Sequence, residues 1–336
     1  IVYTKIDGQN RFQSDLDILN FGINKDTIGD LSVFTSNKPN STIQHLRVYV
    51  DKGLLDSMRL EGDIDYKSKN QNFKLFAQIP PTELRVFAPY VDGVMSNMKG
   101  KFYTKDSLSI SGTFSDPVIE GEILVKNAEV LIDFLQVPIR FSARIVSEKD
   151  RFSVLPFTIL DDKRNVGKAK AFVFHKSFSD FNLNLNLWEL NKFHVLNTGP
   201  ADNDLFYGQA YADGNATLIG PFENLAIRVN AKTTAGTKFY LPISEGDASG
   251  LPNYIHFKTA KKKEKSSADE MPIQSLVMDI EATNDADVEI IFDEILGDKI
   301  TGAGHGNLKM EMNKSGDFYM FGTYTVDRGR YLFTAF

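Results

Sequence analysis

Roughly the last fifty residues of the chain are cut by glycines into short stretches that alternate apolar with polar side chains. Asp287 to Asp293 reads DVEIIFD, Gly302 to Met312 reads GAGHGNLKMEM, and Gly316 to Phe333 continues through Phe318, Met320, Gly322, Tyr324 and Val326 on one parity. A two-residue period places alternate side chains on opposite faces of an extended chain, so each stretch is a strand with one apolar and one wetted face. Strands wetted on one side form antiparallel or solenoid-like sheets, because sheets covered on both faces read as continuous apolar runs. A doubly wound α/β fold is thereby disfavoured, and an all-β chain is expected.

The same texture extends upstream. Phe181, Leu183, Leu185 and Leu187 alternate with Asn182, Asn184 and Asn186, and Leu308, Met310 and Met312 alternate with Lys309 and Glu311. The apolar faces draw on 26 Phe against a single Trp. Mean hydropathy is -0.23 and no apolar run approaches the roughly 18 residues that a membrane-spanning helix needs. No charged leader with a cleavage site opens the chain. A start at Ile1 without Met and a stop at Phe336 inside a strand pattern lead us to expect a portion of something longer.

A shift of 108 residues aligns the chain with itself. Asn72-Phe73-Lys74-Leu75 falls on Asp180-Phe181-Asn182-Leu183, Gly100 on Gly208, and Gly112 on Gly220. The expected division is 1–61 as preceding strands, 62–166 and 167–284 as two repeat units, and 285–336 as the first of the carboxy-terminal strands. Each unit is expected to hold a short helix. The first lies near 82–91, after Pro80 and Pro81, with Thr82 capping and Leu84, Phe87 and Val91 on one face. The second lies near 187–196, with Leu187, Leu190 and Phe193 as its stripe. Residues 258–271, around Lys261-Lys-Lys-Glu-Lys265, read as a mobile, solvated loop.

Motifs for chemistry are sparse. Gly302-Ala-Gly304-His-Gly306 has the glycines of a phosphate loop, but a strand follows it where a phosphate loop needs a helix, so it reads as tight turns and close backbone approach. His45, His175, His194, His256 and His305 are far apart in sequence. Asp287, Glu289 and Asp293 share a parity and read as the wet side of a strand. There is no cysteine, hence no disulfide or thiolate metal site, and no G-x-S-x-G elbow. No catalytic residue, cofactor or metal is assigned, and the expectation is a protein that is not an enzyme. A net charge of -6 with scattered positive residues argues against a nucleic-acid partner. Asp26-Thr27-Ile28, Asp56-Ser57-Met58 and Asp106-Ser107-Leu108 match a short O-glycosylation pattern of some bacterial envelopes.

The glycine-punctuated strands, including Gly112 to Ala128, Ile219-Gly220-Pro221-Phe222 and Gly302 to Phe333, resemble the carboxy-terminal region of the TamB family, relatives of AsmA among bridge-like lipid transporters. The resemblance runs over roughly Gly62 to Phe336 and is strongest from Asp285 to Phe333. It implies a long β-sheet curled into a half-pipe, the β-taco, with an apolar lumen. It also implies a periplasmic protein anchored in the inner membrane by an amino-terminal helix that this chain lacks. The implied partners are phospholipid acyl chains and an outer-membrane barrel insertase of the TamA/BamA type, and the implied role is outer-membrane biogenesis through lipid transport and protein insertion or secretion. Candidate lining residues are Leu183, Leu185, Leu187, Val288, Ile290, Phe292, Leu308, Met310, Met312, Phe318 and Met320. Two alternatives stand beside this reading: a periplasmic chaperone that pairs an open strand edge with unfolded barrel protein, and a secreted β-sandwich or β-helix adhesin.

Overall fold

The computed structural model describes residues 2–6, 9–23, 26–37, 40–66, 72–203, 206–242, 273–293, 297–315 and 317–332. Strands take up 75% of the residues and helix 3%, the all-β class expected. In chain order the strands are β1 (Val2–Ile6), β2 (Gln9–Ile23), β3 (Asp26–Asn37), β4 (Ile43–Asp51), β5 (Arg59–Asp65), β6 (Phe73–Gln78), β7 (Thr82–Glu83), β8 (Met95–Thr104), β9 (Leu108–Gly112), β10 (Pro117–Ile132), β11 (Val137–Glu148), β12 (Arg151–Leu160), β13 (Val166–Lys176), β14 (Ser179–Thr198), β15 (Tyr207–Pro221), β16 (Leu225–Thr233), β17 (Lys238–Pro242), β18 (Ile273–Ala282), β19 (Asp287–Asp293), β20 (Asp298–Asn313) and β21 (Phe318–Leu332). Contacts separate two compact units. The first comprises Ile1–Leu131, Ile139–Ile159 and Ala169–Asn184, the second Ile132–Pro138, Leu160–Lys168 and Leu185–Phe336.

In the first unit, β1 to β6 pair antiparallel in succession, β6 then pairs with β9, and β9 with β10. β6 buries Phe73, Leu75 and Ala77 and turns Lys74, Phe76 and Gln78 outward. That period of two delivers Phe73 and Leu75 to a cluster with Ile64, Leu46, Leu60 and Ile110. The helix expected near 82–91 is present as a 3-10 helix over Leu84–Tyr90, after the two strand residues of β7. Pro89 lies inside it and offers no N–H for an α-helical bond, which favours the tighter, shorter winding. Thr82 does not cap it: its hydroxyl donates to the Pro80 carbonyl at 2.8 Å.

The helix expected near 187–196 is not formed. Those residues belong to β14, a 20-residue strand. Its apparent helical stripe has a simple origin, because Glu189 and Lys192 take left-handed φ values of 50° and 46° and each inserts one residue into the two-residue alternation. Leu187 to Leu190 and Leu190 to Phe193 therefore become steps of three. The bulge at Lys192 is fixed from the neighbouring strand, since its N–H donates to Asp213 Oδ1 at 2.7 Å. The same arrangement recurs in the first unit. Asn20 (φ 53°) donates its N–H to Asp30 Oδ1, and Asn127 (φ 50°) donates to Ser142 Oγ.

A two-residue turn, Ser177-Phe178, with both residues at positive φ, joins β13 to β14 and brings aromatic rings around His175. His175 is 6% exposed, stacked on Phe178 at 4.4 Å, with Phe152 and Phe181 at 5.2 and 5.9 Å. Burial pushes its pKa below the ordinary histidine value, against the opposing pull of Asp150. With the folded value depressed, the unfolded chain binds more protons over the interval between the two. Stability is then complete above the unfolded value near 6.5 and is lost as pH falls from there. Urea midpoints measured between about pH 8 and pH 5 should decline below about 6.5. The His175→Phe variant, which keeps a ring but cannot titrate, should flatten that decline.

In the second unit the ladders depart from a simple meander. β15 pairs antiparallel with β16 and, nearer its start, with β17. β16 then pairs parallel with β18, and β17 parallel with β19. β20 pairs antiparallel with both β18 and β19, and β21 with β20. The parallel pairs were not foreseen. The link from Pro242 to Ile273 that they require contains the Lys-rich segment 258–271, which lies outside the described residues.

β16 and β17 are two parts of one interrupted strand, as are β18 and β19, and the two interruptions coincide. Lys238 follows Lys232 by six positions, and their partners Asp287 and Glu281 are six positions apart as well. Threonines bridge the gap. Thr283 N–H donates to Thr233 Oγ1 and Thr283 Oγ1 to the Thr233 carbonyl, both at 2.9 Å, while Thr237 Oγ1 donates to the Tyr211 carbonyl at 3.0 Å. Of the aligned glycines, Gly112 ends β9 and Gly220 is the last residue but one of β15, both at positive φ, and each approaches the carbonyl of the residue four positions on, Asp116 and Asn224.

Candidate functional site

Strand register places the apolar residues of the second unit in straight rows that cross five strands. One row is Leu218, Ile227, Leu276, Met312 and Phe318; the next is Ala216, Val229, Met278, Met310 and Met320; a third is Gly214, Ala231, Ile280, Leu308 and Gly322. Directly opposed side chains in adjacent strands are about 5 Å apart, so each row is a continuous band of contact. Three methionines lie side by side in the second row, and Met312 stands next to them.

Cover over this face is uneven. Met310 and Met312 are 3% and 5% exposed, with Leu276, Ile227, Met278 and Phe318 around Met312. Phe206 reaches over from the stretch before β15, its ring 5.8 Å from Phe318 and 5.7 Å from Phe239. Met320, one strand beyond Met310, is 41% exposed. The face is thus a closed core at β18 and β20 and an open margin at β21.

Past the interruption the apolar side carries on through Phe239 and Leu241, which oppose Val288 and Ile290 of β19. Ile290 opposes Ile300, and Ile300 opposes Tyr331. Phe292 sits at the irregular end of β19, its ring edge-on to Tyr331 at 6.4 Å. Of the candidate lining residues, Val288, Ile290, Phe292, Leu308, Met310, Met312, Phe318 and Met320 come together on β19 to β21. Leu183, Leu185 and Leu187 are half-buried on β14, with Leu183 in the first unit and the other two in the second.

The glycine-histidine run is not a turn. Gly302, Gly304 and Gly306 lie inside β20, where a Cβ at Gly304 or Gly306 would fall within the van der Waals shell of the Thr325 or Thr323 carbonyl oxygen of β21. The expected close backbone approach is real, and its partner strand follows in sequence. His305 points to the wet side and pairs with Asp327 at 2.7 Å.

The wet face carries opposed charges at ladder spacing. Lys232 pairs with Glu281 at 2.7 Å and Lys309 with Glu311 at 2.6 Å. Glu289, one of the sequence's acidic cluster, accepts from Lys299 Nζ and Thr301 Oγ1, both at 2.9 Å, and this hydrogen bond and charge raise the Lys299 pKa. Among the described residues no group of three or more His, Asp or Glu side chains is placed to hold a metal ion. No helix among them is long and apolar enough to cross a membrane.

One polar cluster escaped sequence reasoning. His194, 2% exposed, stacks on Tyr211 at 4.5 Å and meets Asp162 through Nδ1 at 2.7 Å, while its N–H donates to fully buried Asp161 at 2.8 Å. Burial acts to raise the Asp162 pKa, but the hydrogen bond and charge of His194, with help from Lys163, hold it below the ordinary value. More than thirty residues separate these partners, and no local pattern signals them.

No curated protein and no solved structure matches the chain. A family model, the TamB C-terminal domain, matches residues 157–336, which include β15 to β21 and every candidate lining residue. That span starts well before the tail in which the resemblance is strongest, and it covers more than half of the sequence. The chain belongs to the TamB family.

Proposed function

We propose that this chain is a non-enzymatic part of a periplasmic lipid conduit, in which the apolar rows of β18 to β21 carry phospholipid acyl chains. The TamB family acts in the cell envelope, in outer-membrane assembly. On this reading an amino-terminal segment outside this chain anchors the module in the inner membrane, and a TamA/BamA-type barrel insertase receives it at the outer membrane. The observation that carries the proposal is the open margin, where exposure rises from 3% at Met310 to 41% at Met320 along one unbroken row.

Transfer of apolar surface from water is worth about 0.8 kcal/mol per CH₂, so sixteen methylenes would favour such a surface by on the order of 13 kcal/mol before entropy and strain. Passage also requires that no single point hold the lipid. Unbranched, polarizable methionines supply a surface that repacks around chains of different shape.

Native mass spectrometry of the chain purified from membranes should find phospholipid bound, and Met320→Lys should remove it while the circular dichroism spectrum stays unchanged. Protein that is free of lipid, or that retains it equally in the variant, would count against a conduit at this margin. A second reading draws support from β21 itself, a 15-residue strand whose partner within its unit is β20. Such a strand suits capture of an unfolded barrel segment by β-augmentation. Binding of a denatured barrel hairpin by lipid-free chain would favour that reading over the first.

A further inference from the structure

A groove of about 570 Å³ crosses the wet side of the strands whose other side bears the methionine row. Its floor is the backbone of the row from Gly214 through Ala231, Ile280 and Leu308 to Gly322, and its walls are the polar rows on either side of that line. Asn230, Asp279 and Phe321 stand on one wall; Lys232, Glu281 and Asn307 stand on the other. None of the side chains of the neighbouring apolar rows lines it, which assigns it to the polar face.

The groove runs across the strands, over main chain whose donors and acceptors are used in the ladders. A ligand there finds no free main-chain donor or acceptor, so an extended peptide, which needs an unpaired strand edge, is a poor fit. The wall groups repeat at the strand spacing of about 4.8 Å, and five strands give a length of about 19 Å. That repeat is commensurate with one pyranose ring of a β-1,4-linked chain.

Charge in the walls is mostly spent internally. Glu281 neutralises Lys232 at 2.7 Å, and Glu311 neutralises Lys309 at 2.6 Å, which leaves the carboxylates of Asp213 and Asp279 to repel a polyanion and to accept from hydroxyl groups. What remains are planar amide and carboxylate groups suited to hydroxyl and acetamido partners, and the ring of Phe321, 53% exposed, on which the C–H face of a sugar can rest. From this geometry we infer that the groove is a binding site for a neutral oligosaccharide of β-linked pyranoses. The site is independent of the lipid reading, since the two lie on opposite faces of the same strands.

Saturation-transfer NMR with tetra-N-acetylchitotetraose, the neutral, fully acetylated tetramer, on the whole chain tests it. Saturable transfer to the sugar is expected, with binding weakened about tenfold in each of Phe321→Ala and Asp279→Ala. Both side chains are exposed, so both variants should keep the parent circular dichroism spectrum. Met320→Lys, on the opposite face, should bind the sugar as the parent does. Absence of saturable transfer at millimolar sugar, binding unchanged in both groove variants, or saturable binding of tetra-alanine in place of the sugar would each overturn the assignment.

Discussion

Gly304→Ala is expected to release β21 from the sheet. The new methyl group would overlap the Thr325 carbonyl oxygen, an atom fixed in the β20–β21 ladder that cannot withdraw without breaking it. Gly306→Ala meets the Thr323 carbonyl in the same way. The cause is space and not conformation, because neither glycine has a φ in the left-handed region. Losing a strand that pairs from Lys299 to Met312 should cost about 4 kcal/mol or more, at the upper end of single-residue effects. Hydrogen exchange over Phe318–Leu332 should rise sharply while β15 and β16 stay protected. Gly297→Ala provides the contrast. Its φ is +81° and nothing lies within 4 Å of the added carbon, so only backbone strain of about 1 kcal/mol is expected. If β21 amides remain protected in Gly304→Ala, the two strands do not approach as closely as described.

Met310→Lys and Met320→Lys introduce the same charge one strand apart in one row, yet their outcomes should differ. Met310 is 3% exposed between Met278 and Met320, and its ammonium would have no partner and no route to water. An uncompensated buried charge costs about 3–5 kcal/mol, enough to lower the urea midpoint strongly or to unfold the second unit. Met320 is 41% exposed, and a lysine there can lay its methylenes along the row and keep its charge in solvent, at a cost under about 1 kcal/mol. Lipid binding alone should be lost. Equal midpoints for the two variants would mean that β20 faces an open trough along its whole length.

Local patterns gave the strand character and the choice of inward parity across β18 to β21, because a two-residue period is visible wherever one face is dry. Leu308, Met310 and Met312 could be assigned to one side from their spacing alone. Spacing failed at Leu187, Leu190 and Phe193, where bulges at Glu189 and Lys192 converted alternation into steps of three that imitate a helix. It failed again at Gly302 to Gly306. The reason for those glycines is the backbone of residues about twenty positions later, and a run of glycines without its partner strand looks like turns. Parallel pairing of β16 with β18 was hidden because partner choice is set by the path of the intervening chain and not by the composition of either strand. The Asp161–Asp162–His194 cluster was invisible for the same reason: its members meet only after the chain has folded.

The coincident interruptions at Thr234–Thr237 and Thr283–Ala286 carry a consequence for how this chain tolerates changes in length. Deleting one residue from either gap alone would invert the parity of everything that follows in that strand, turning Phe239 and Leu241, or Val288 and Ile290, into water. Deleting one residue from both keeps β17 and β19 aligned with each other but turns both sets of apolar side chains outward, whereas deleting two from both keeps their parity as well and moves the mismatch to the borders with β15 and β20. The two gaps behave as a single editing site that happens to be written twice, so a viable shortening or lengthening there should arise only as a matched pair.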